Sequence, residues 1–148
     1  MGSLPPMLSR TNLRYFIVIA VVASLGFAAT ASAGKVKEIK SPSTLKPDDE
    51  IKAIDGKAVV TGSVNSAEAP CIPGRTVKFT INTTTGVHTF GTARTRADGT
   101  WRISHDLEDL GTWGESKGLK ITLKKRKVKV KRKLYRCGAD SFATGAPA

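Results

Sequence analysis

Short segments of alternating apolar and polar residues follow one another between positions 57 and 142. The clearest is Arg75–Asn82, in which Val77, Phe79 and Ile81 alternate with polar residues. Successive side chains of a β-strand point to opposite faces, so this spacing predicts strands that bury one face. No segment in this range shows a sustained helical period. About seven such segments, separated by turn residues, predict an all-β fold with antiparallel strands, a β-sandwich of two sheets. A closed barrel of about five or six strands is the alternative.

The middle of the chain, residues 90–103, carries the strongest turn signal. Glycine accepts the positive φ that a tight turn between strands requires, and Asp98 and Gly99 form such a pair. Trp101 and Ile103 follow two residues apart, which places them on one face of a strand. This stretch predicts an antiparallel hairpin with one apolar face that other strands must cover.

A glycine interrupts the apolar face of an earlier predicted strand. Val60, Gly62 and Val64 have the same phase in the segment 57–64. A glycine inside a strand indicates a bulge or the close approach of another backbone, so we expect one of these at Gly62.

The first 33 residues have the three-part layout of a secretory signal peptide. Arg10 and Arg14 precede a nearly continuous apolar run at 15–27, and Ala31-Ser32-Ala33 is a small-residue cleavage site. The pattern predicts a helical signal peptide at 1–33, cleavage after Ala33 and a protein that is secreted or associated with the cell wall. An uncleaved membrane anchor is the alternative, although the run is shorter than the roughly 20 residues that a span needs.

The segments on either side of the predicted sandwich domain are polar. Residues 34–56 are expected to be a flexible N-terminal segment, with a first strand as the alternative, and residues 143–148 a disordered tail. The only acidic cluster in the chain, Asp48-Asp49-Glu50, lies in the first of them. A cation site there is an alternative that no surrounding ligand loop supports.

Cys71 and Cys137 are the only cysteines. In an exported chain such a pair most simply forms one disulfide. The bond closes a loop of about 65 residues, which stabilises a small domain by on the order of 4 kcal/mol. No Cys-x-x-Cys motif supports redox chemistry.

Residues 57–142 resemble small secreted bacterial domains of the transthyretin-like group, which are similar to carboxypeptidase regulatory-like and Cna-B-like β-sandwiches. The resemblance rests on an ordered set of short motifs: Thr61-Gly62-Ser63-Val64, Cys71, Gly74-Arg75-Thr76-Val77, Thr95-Arg96-Ala97-Asp98-Gly99-Thr100-Trp101, a Lys-rich strand, and Cys137-Gly138-Ala139-Asp140-Ser141. It implies an Ig-like or prealbumin-like sandwich that acts as a stalk, spacer or binding module without catalysis. The connection at 105–116 is longer than the corner expected for this group.

Positive charge is the one surface property above background. The formal net charge is +12, and residues 117–136 contain 11 basic residues and no acidic one. We expect a polyanion-binding ridge formed by Lys120, Lys124, Lys125, Arg126, Lys127, Lys129, Lys131, Arg132 and Lys133. The expected partners are anionic cell-wall polymers or lipid head groups. Sequence-specific nucleic-acid binding is not expected, because aromatic residues are scarce among the lysines. A role in solubility and edge protection is the alternative.

No motif for a cofactor, a metal ion or a catalytic triad is present, so we expect a non-enzymatic protein. The histidines His88 and His105 lack a ligand spacing. Two alternatives remain. One is a small secreted enzyme or toxin that uses Asp106, Glu108 and Asp109 of the connection at 105–116. The other is an accessory subunit of a surface assembly, which would expose an apolar face.

Overall fold

The computed structural model of this chain describes residues 34–145. The predicted signal peptide at 1–33 and the last three residues of the predicted tail lie outside the described residues. The described part is all-β, as the alternation predicted. It forms β1 (Lys37–Ser41), β2 (Ser43–Pro47), β3 (Lys52–Ile54), β4 (Lys57–Ser66), β5 (Thr76–Thr83), β6 (Gly86–Arg94), β7 (Thr100–Asp106), β8 (Ser116–Leu123), β9 (Arg126–Val130), β10 (Lys133–Cys137) and β11 (Asp140–Gly145). A 3₁₀ turn (Ala69–Cys71) and the one-turn helix α1 (Leu107–Leu110) complete it, and no helix within 34–145 is long and apolar enough to cross a membrane.

Two sheets share the main hydrophobic core in a sandwich-like arrangement. In the first sheet, β4 pairs with β7 along one edge and with β2 and β3 along the other. The second sheet has the strand order β11-β8-β5-β6. Both sheets contribute buried side chains to one cluster, which consists of Leu45, Ala58, Val60, Val64, Val77, Phe79, Phe90, Trp101, Ile103, Ile121 and Leu123. The alternating residues of β5 and β7 therefore bury the faces that the sequence predicted.

A third sheet, with the order β1-β10-β9, has its own small core. The pairing of β1 with β10 is parallel, whereas β10 and β9 form an antiparallel hairpin. The prediction of about seven antiparallel strands is therefore wrong in number and, for this one pair, in direction. A parallel partner that lies far away along the chain leaves no local turn signal in the sequence.

The segment 34–56 contains three strands, although its composition predicted flexibility. Ser41, Ser43 and Leu45 are buried, and the main-chain N–H of Leu45 donates to the Asp140 carboxylate at 2.7 Å. Main-chain hydrogen bonds to β4 and β10 order this segment. Its polar composition therefore did not predict that it forms strands. At the other end, β11 continues to Gly145, so residues 143–145 of the predicted tail are also in a strand.

The turn at Asp98 and Gly99 forms as predicted, but the hairpin around it does not. Gly99 has a φ of 84°, and the Thr100 side chain and main-chain N–H both donate to Asp98, which lowers the pKa of that carboxyl group. The strands on either side diverge, because β6 pairs with β5 while β7 pairs with β4 over seven residues. Crossing between the sheets lets Trp101 and Ile103 face the shared core, where both are buried.

Gly62 is a point of close approach, one of the two possibilities that the sequence offered. It lies directly opposite Trp101 in the β4–β7 ladder. A Cβ atom at position 62 would lie 2.4 Å from Trp101 Cζ2 and 2.7 Å from the main-chain oxygen of Lys46. The indole ring therefore packs in the space that a side chain would occupy.

We expect Gly62→Ala to lower the free energy of unfolding by about 1–3 kcal/mol. The new methyl group would meet the main-chain oxygen of Lys46, which cannot move without displacing β2. Urea denaturation measures the difference, and Ser63→Ala, on the opposite phase of the same strand, is the matched control. Equal urea denaturation midpoints for the two variants would contradict the close contact between Gly62 and Trp101.

Candidate anion-binding face

The basic stretch predicted as a ridge folds into the hairpin of β9 and β10. Val130 pairs with Lys133, so a two-residue turn that begins at Lys131 joins the strands. Lys131 has a φ of 54°, in the left-handed region that lysine rarely adopts. It therefore belongs to the turn and does not continue the strand face of Lys127 and Lys129.

Three cations from three strands lie side by side on the exposed face of this sheet. Lys40 of β1 pairs directly with Arg136 of β10, which pairs directly with Lys127 of β9. Directly paired residues have their side chains on the same face, on strands about 4.8 Å apart. All three residues are exposed. We call Lys40, Arg136 and Lys127 the cation row.

The opposite face of the sheet packs on the disulfide. Cys71 and Cys137 are bonded, with their Cα atoms 5.3 Å apart, which confirms the predicted pairing. Both are buried with Tyr135, and Ile39 and Val128 pack against them. This small core holds the sheet against the 3₁₀ turn, so the cation row is directed to solvent.

The cation row has little compensating negative charge. The Nε of Arg136 lies 2.6 Å from Glu38 Oε1. Within residues 34–145, neither Lys40 nor Lys127 has a carboxylate within ion-pair distance. Like charges directly opposite on neighbouring strands destabilise a sheet. An anionic partner would remove this repulsion.

An open groove of about 730 Å³ lies where β1 and β10 end and β9 begins. Ten residues line it, and none of them is acidic. Five of the ten are cations, namely Lys40, Lys125, Arg126, Lys127 and Arg136. The cation row therefore forms part of a concave surface as well as an exposed face.

Arg75 is fully buried beside this groove. Its guanidinium donates four hydrogen bonds of 2.6–2.9 Å, to Ser43 Oγ and to the main-chain oxygens of Cys71, Lys124 and Gly138. Burial, and secondarily the charge of Arg126, lowers the pKa of Arg75. Within the described residues its Nε–H has no hydrogen-bond partner, and no carboxylate pairs with it. In the sequence, Arg75 has the same phase as Val77 and Phe79 of the predicted strand, and this spacing is the signal that could have located it on the buried face.

The structure divides the predicted ridge among several surfaces. The link between β8 and β9 contains Lys124 and Lys125, and β9 itself carries Arg126, Lys127 and Lys129. The turn that follows consists of Lys131 and Arg132, and β10 begins at Lys133. Lys120 is on β8 of the second sheet, paired with Thr80 and Ala143, so it does not belong to the basic three-stranded sheet. The prediction also missed Lys40, because the segment that contains it was expected to be flexible. It counted Arg136 among the basic residues but left it out of the ridge.

The guanidinium of Arg126 is held by the main chain next to the 3₁₀ turn. Its Nη1 donates to the oxygens of Pro73 and Gly74, at 3.0 and 2.7 Å. Arg126 therefore contributes a fixed charge to the rim of the groove, unlike the lysine ammonium groups around it.

The acidic connection at 105–116 disperses its carboxylates. Asp106 pairs with Lys57 at 3.0 Å, and Asp109 lies 3.5 Å from His105 Nε2. Both aspartates are more than half exposed, and Glu108 is exposed as well. Nowhere between residues 34 and 145 do three His, Cys, Asp or Glu side chains form a group that could hold a metal ion, the acidic cluster at 48–50 included.

The two histidines take part in an aromatic cluster that the sequence did not reveal. His88 stacks on Trp113 with ring centroids 4.8 Å apart, and His105 lies at the same distance from Trp113. His105 also contacts Phe90. The cluster packs the connection at 105–116 against β6 and β7, a structural role that needs no ligand.

No protein-family model matches this chain, and no curated protein matches it. The resemblance to transthyretin-like domains therefore rests on the sequence motifs alone and stays a prediction.

Proposed function

We propose that this chain is an exported, non-enzymatic binding module that attaches to anionic polymers at the cell surface through its basic three-stranded sheet. The predicted signal peptide supports export, and a disulfide is the kind of cross-link that oxidising compartments retain. The transthyretin-like motifs support a role as a spacer or binding module. The cation row is the observation that carries the proposal.

The energetics of the cation row favour a polyanion as the partner. Three cations held on adjacent strands repel one another in the free protein. A polymer with repeated negative charges relieves that repulsion and releases its own condensed counterions on binding. The affinity of such a contact falls as salt rises.

Among the described residues, the exposed face of the three-stranded sheet carries no aromatic side chain on which a base could stack. Tyr135, the aromatic residue of the hairpin, is buried on the opposite face with the disulfide. Single-stranded nucleic acids gain much of their affinity by stacking bases on exposed aromatic rings. A flexible cell-wall polymer, which needs charge but no stacking platform, fits this surface better.

The test is binding of the full chain to immobilised long-chain polyphosphate, with neutral dextran as the blank. We expect Lys40→Gln/Lys127→Gln to weaken binding about tenfold at about 50 mM salt, because the two cations that flank Arg136 in the row are lost. The slope of log affinity against log salt should fall by roughly 0.7–0.9 for each lost contact.

Lys117→Gln/Lys120→Gln is the matched control, since it removes the same net charge from β8. It should weaken binding less than about threefold. Equal losses in the two double variants, or binding that is insensitive to salt, would contradict the proposal.

A further inference from the structure

We infer that the groove at the end of the three-stranded sheet is a binding site for a phosphomonoester group. This inference rests on the proposed function and gives the surface a defined anchoring point. A terminal phosphate of the polymer, or one attached as a side group through a single ester bond, enters the groove while the rest of the polymer follows the exposed face.

The number and arrangement of the cations favour phosphate over carboxylate. Five cations line the groove, and among the described residues only Glu38 opposes one of them. A carboxylate carries one charge on two oxygens. A phosphomonoester carries a charge of about −1.5 to −2 at neutral pH on three strong acceptor oxygens, so it can bind several cations at once.

Arg136 is positioned to act as the central donor. Its Nε is occupied by Glu38, and this contact orients the guanidinium. Within residues 34–145, Glu38 is the only side chain that pairs with its guanidinium. Arginine presents paired N–H groups in a fork that matches phosphate oxygens. Lys40 and Lys127 flank it in the same row and supply mobile ammonium groups.

The walls of the groove are held in place before any ligand arrives. Arg75 bonds the main-chain oxygens of Lys124 and Gly138, which adjoin the two sides of the groove. Cys137, itself a lining residue, is fixed by the disulfide. A site that is already ordered loses less entropy on binding than a flexible cluster of lysines would.

The experiment is a titration of the ¹⁵N-labelled full chain with inorganic phosphate, and with acetate at matched ionic strength. We expect saturable amide shifts confined to residues 40–41, 125–127 and 136–139, and an affinity for phosphate about tenfold above that for acetate. Glycerol 3-phosphate, a phosphomonoester, should bind at least as tightly as inorganic phosphate.

Two variants test the assignment of the donors. Arg136→Gln and Lys127→Gln should each weaken phosphate binding about tenfold, and Lys120→Gln, on the second sheet, should leave it unchanged. Lys127→Gln breaks no ion pair of the described fold, so it remains informative if Arg136→Gln destabilises the sheet.

The outcomes separate this inference from the proposed function. Diffuse shifts, or equal affinities for phosphate and acetate, would overturn the site, while salt-dependent polymer binding by the same sample would leave the proposed function standing. Specific phosphate binding without any polymer binding would support the site and overturn the proposed function. Binding of inorganic phosphate with exclusion of glycerol 3-phosphate would assign the groove to the free ion and overturn polymer anchoring.

Discussion

Replacing Cys71 and Cys137 together by alanine is expected to lower the free energy of unfolding by about 4 kcal/mol. The bond joins residues that are 66 positions apart, so its loss frees a long loop in the unfolded chain. A small domain is commonly stable by only about 5–15 kcal/mol, so this loss is a large share of the total.

The three-stranded sheet should lose its order first. Its core consists of the two cysteines, Tyr135 and two partly buried neighbours, whereas the sandwich core contains eleven buried residues. Amide hydrogen exchange should therefore accelerate more in β1 and β10 than in β5 and β8.

Guanidinium denaturation with and without a reductant measures the stability loss. Reduction of the unaltered chain should reproduce much of the effect, and the double alanine variant should not respond to reductant. Equal acceleration of exchange in all four strands would contradict the separate melting of the basic sheet. Weaker phosphate binding should accompany that melting, because Cys137 lines the groove.

Arg75→Met should destabilise the protein by about 3–5 kcal/mol, although arginine-to-methionine replacements at exposed sites usually cost little. Methionine fills a similar volume but leaves the four oxygen acceptors of Arg75 without their donor. Three of these are main-chain oxygens, which no compensating substitution can remove. A buried acceptor without a donor costs about 1–3 kcal/mol. The melting temperature should fall by roughly 10–20 °C.

Arg126→Met is the matched control for Arg75. The Arg126 side chain also donates to two main-chain oxygens, but those bonds are exposed and water can replace them. We expect a loss below about 1 kcal/mol. Arg75→Lys should fall between the two, because one ammonium group cannot reach all four acceptors. Equal stability of Arg75→Met and Arg126→Met would show that the buried network contributes nothing net.

Features that depend on neighbouring residues could be predicted from the sequence. The alternation of Val77 and Phe79 with polar residues is a property of a single strand, and it predicted both the all-β class and the buried faces. Gly99 allowed the turn after Asp98 to be predicted, because only the local φ matters there. Two cysteines and a predicted signal peptide were enough to predict the disulfide.

Features that depend on which strands pair required the tertiary structure. The Asp98–Gly99 turn is compatible both with a hairpin and with a crossing between sheets, and only the long ladder of β7 with β4 decides between them. Lys40 joins Arg136 and Lys127 through a parallel pairing between strands nearly a hundred residues apart along the chain. The strand phase of Arg75 matches that of Val77, but only the meeting of four segment ends supplies the acceptors that allow its guanidinium to be buried. Local sequence therefore determined which segments form strands, where the turn lies and which cysteines are bonded. Long-range pairing decided which charges lie together, because the sequence of one strand does not specify which other strand it hydrogen-bonds to.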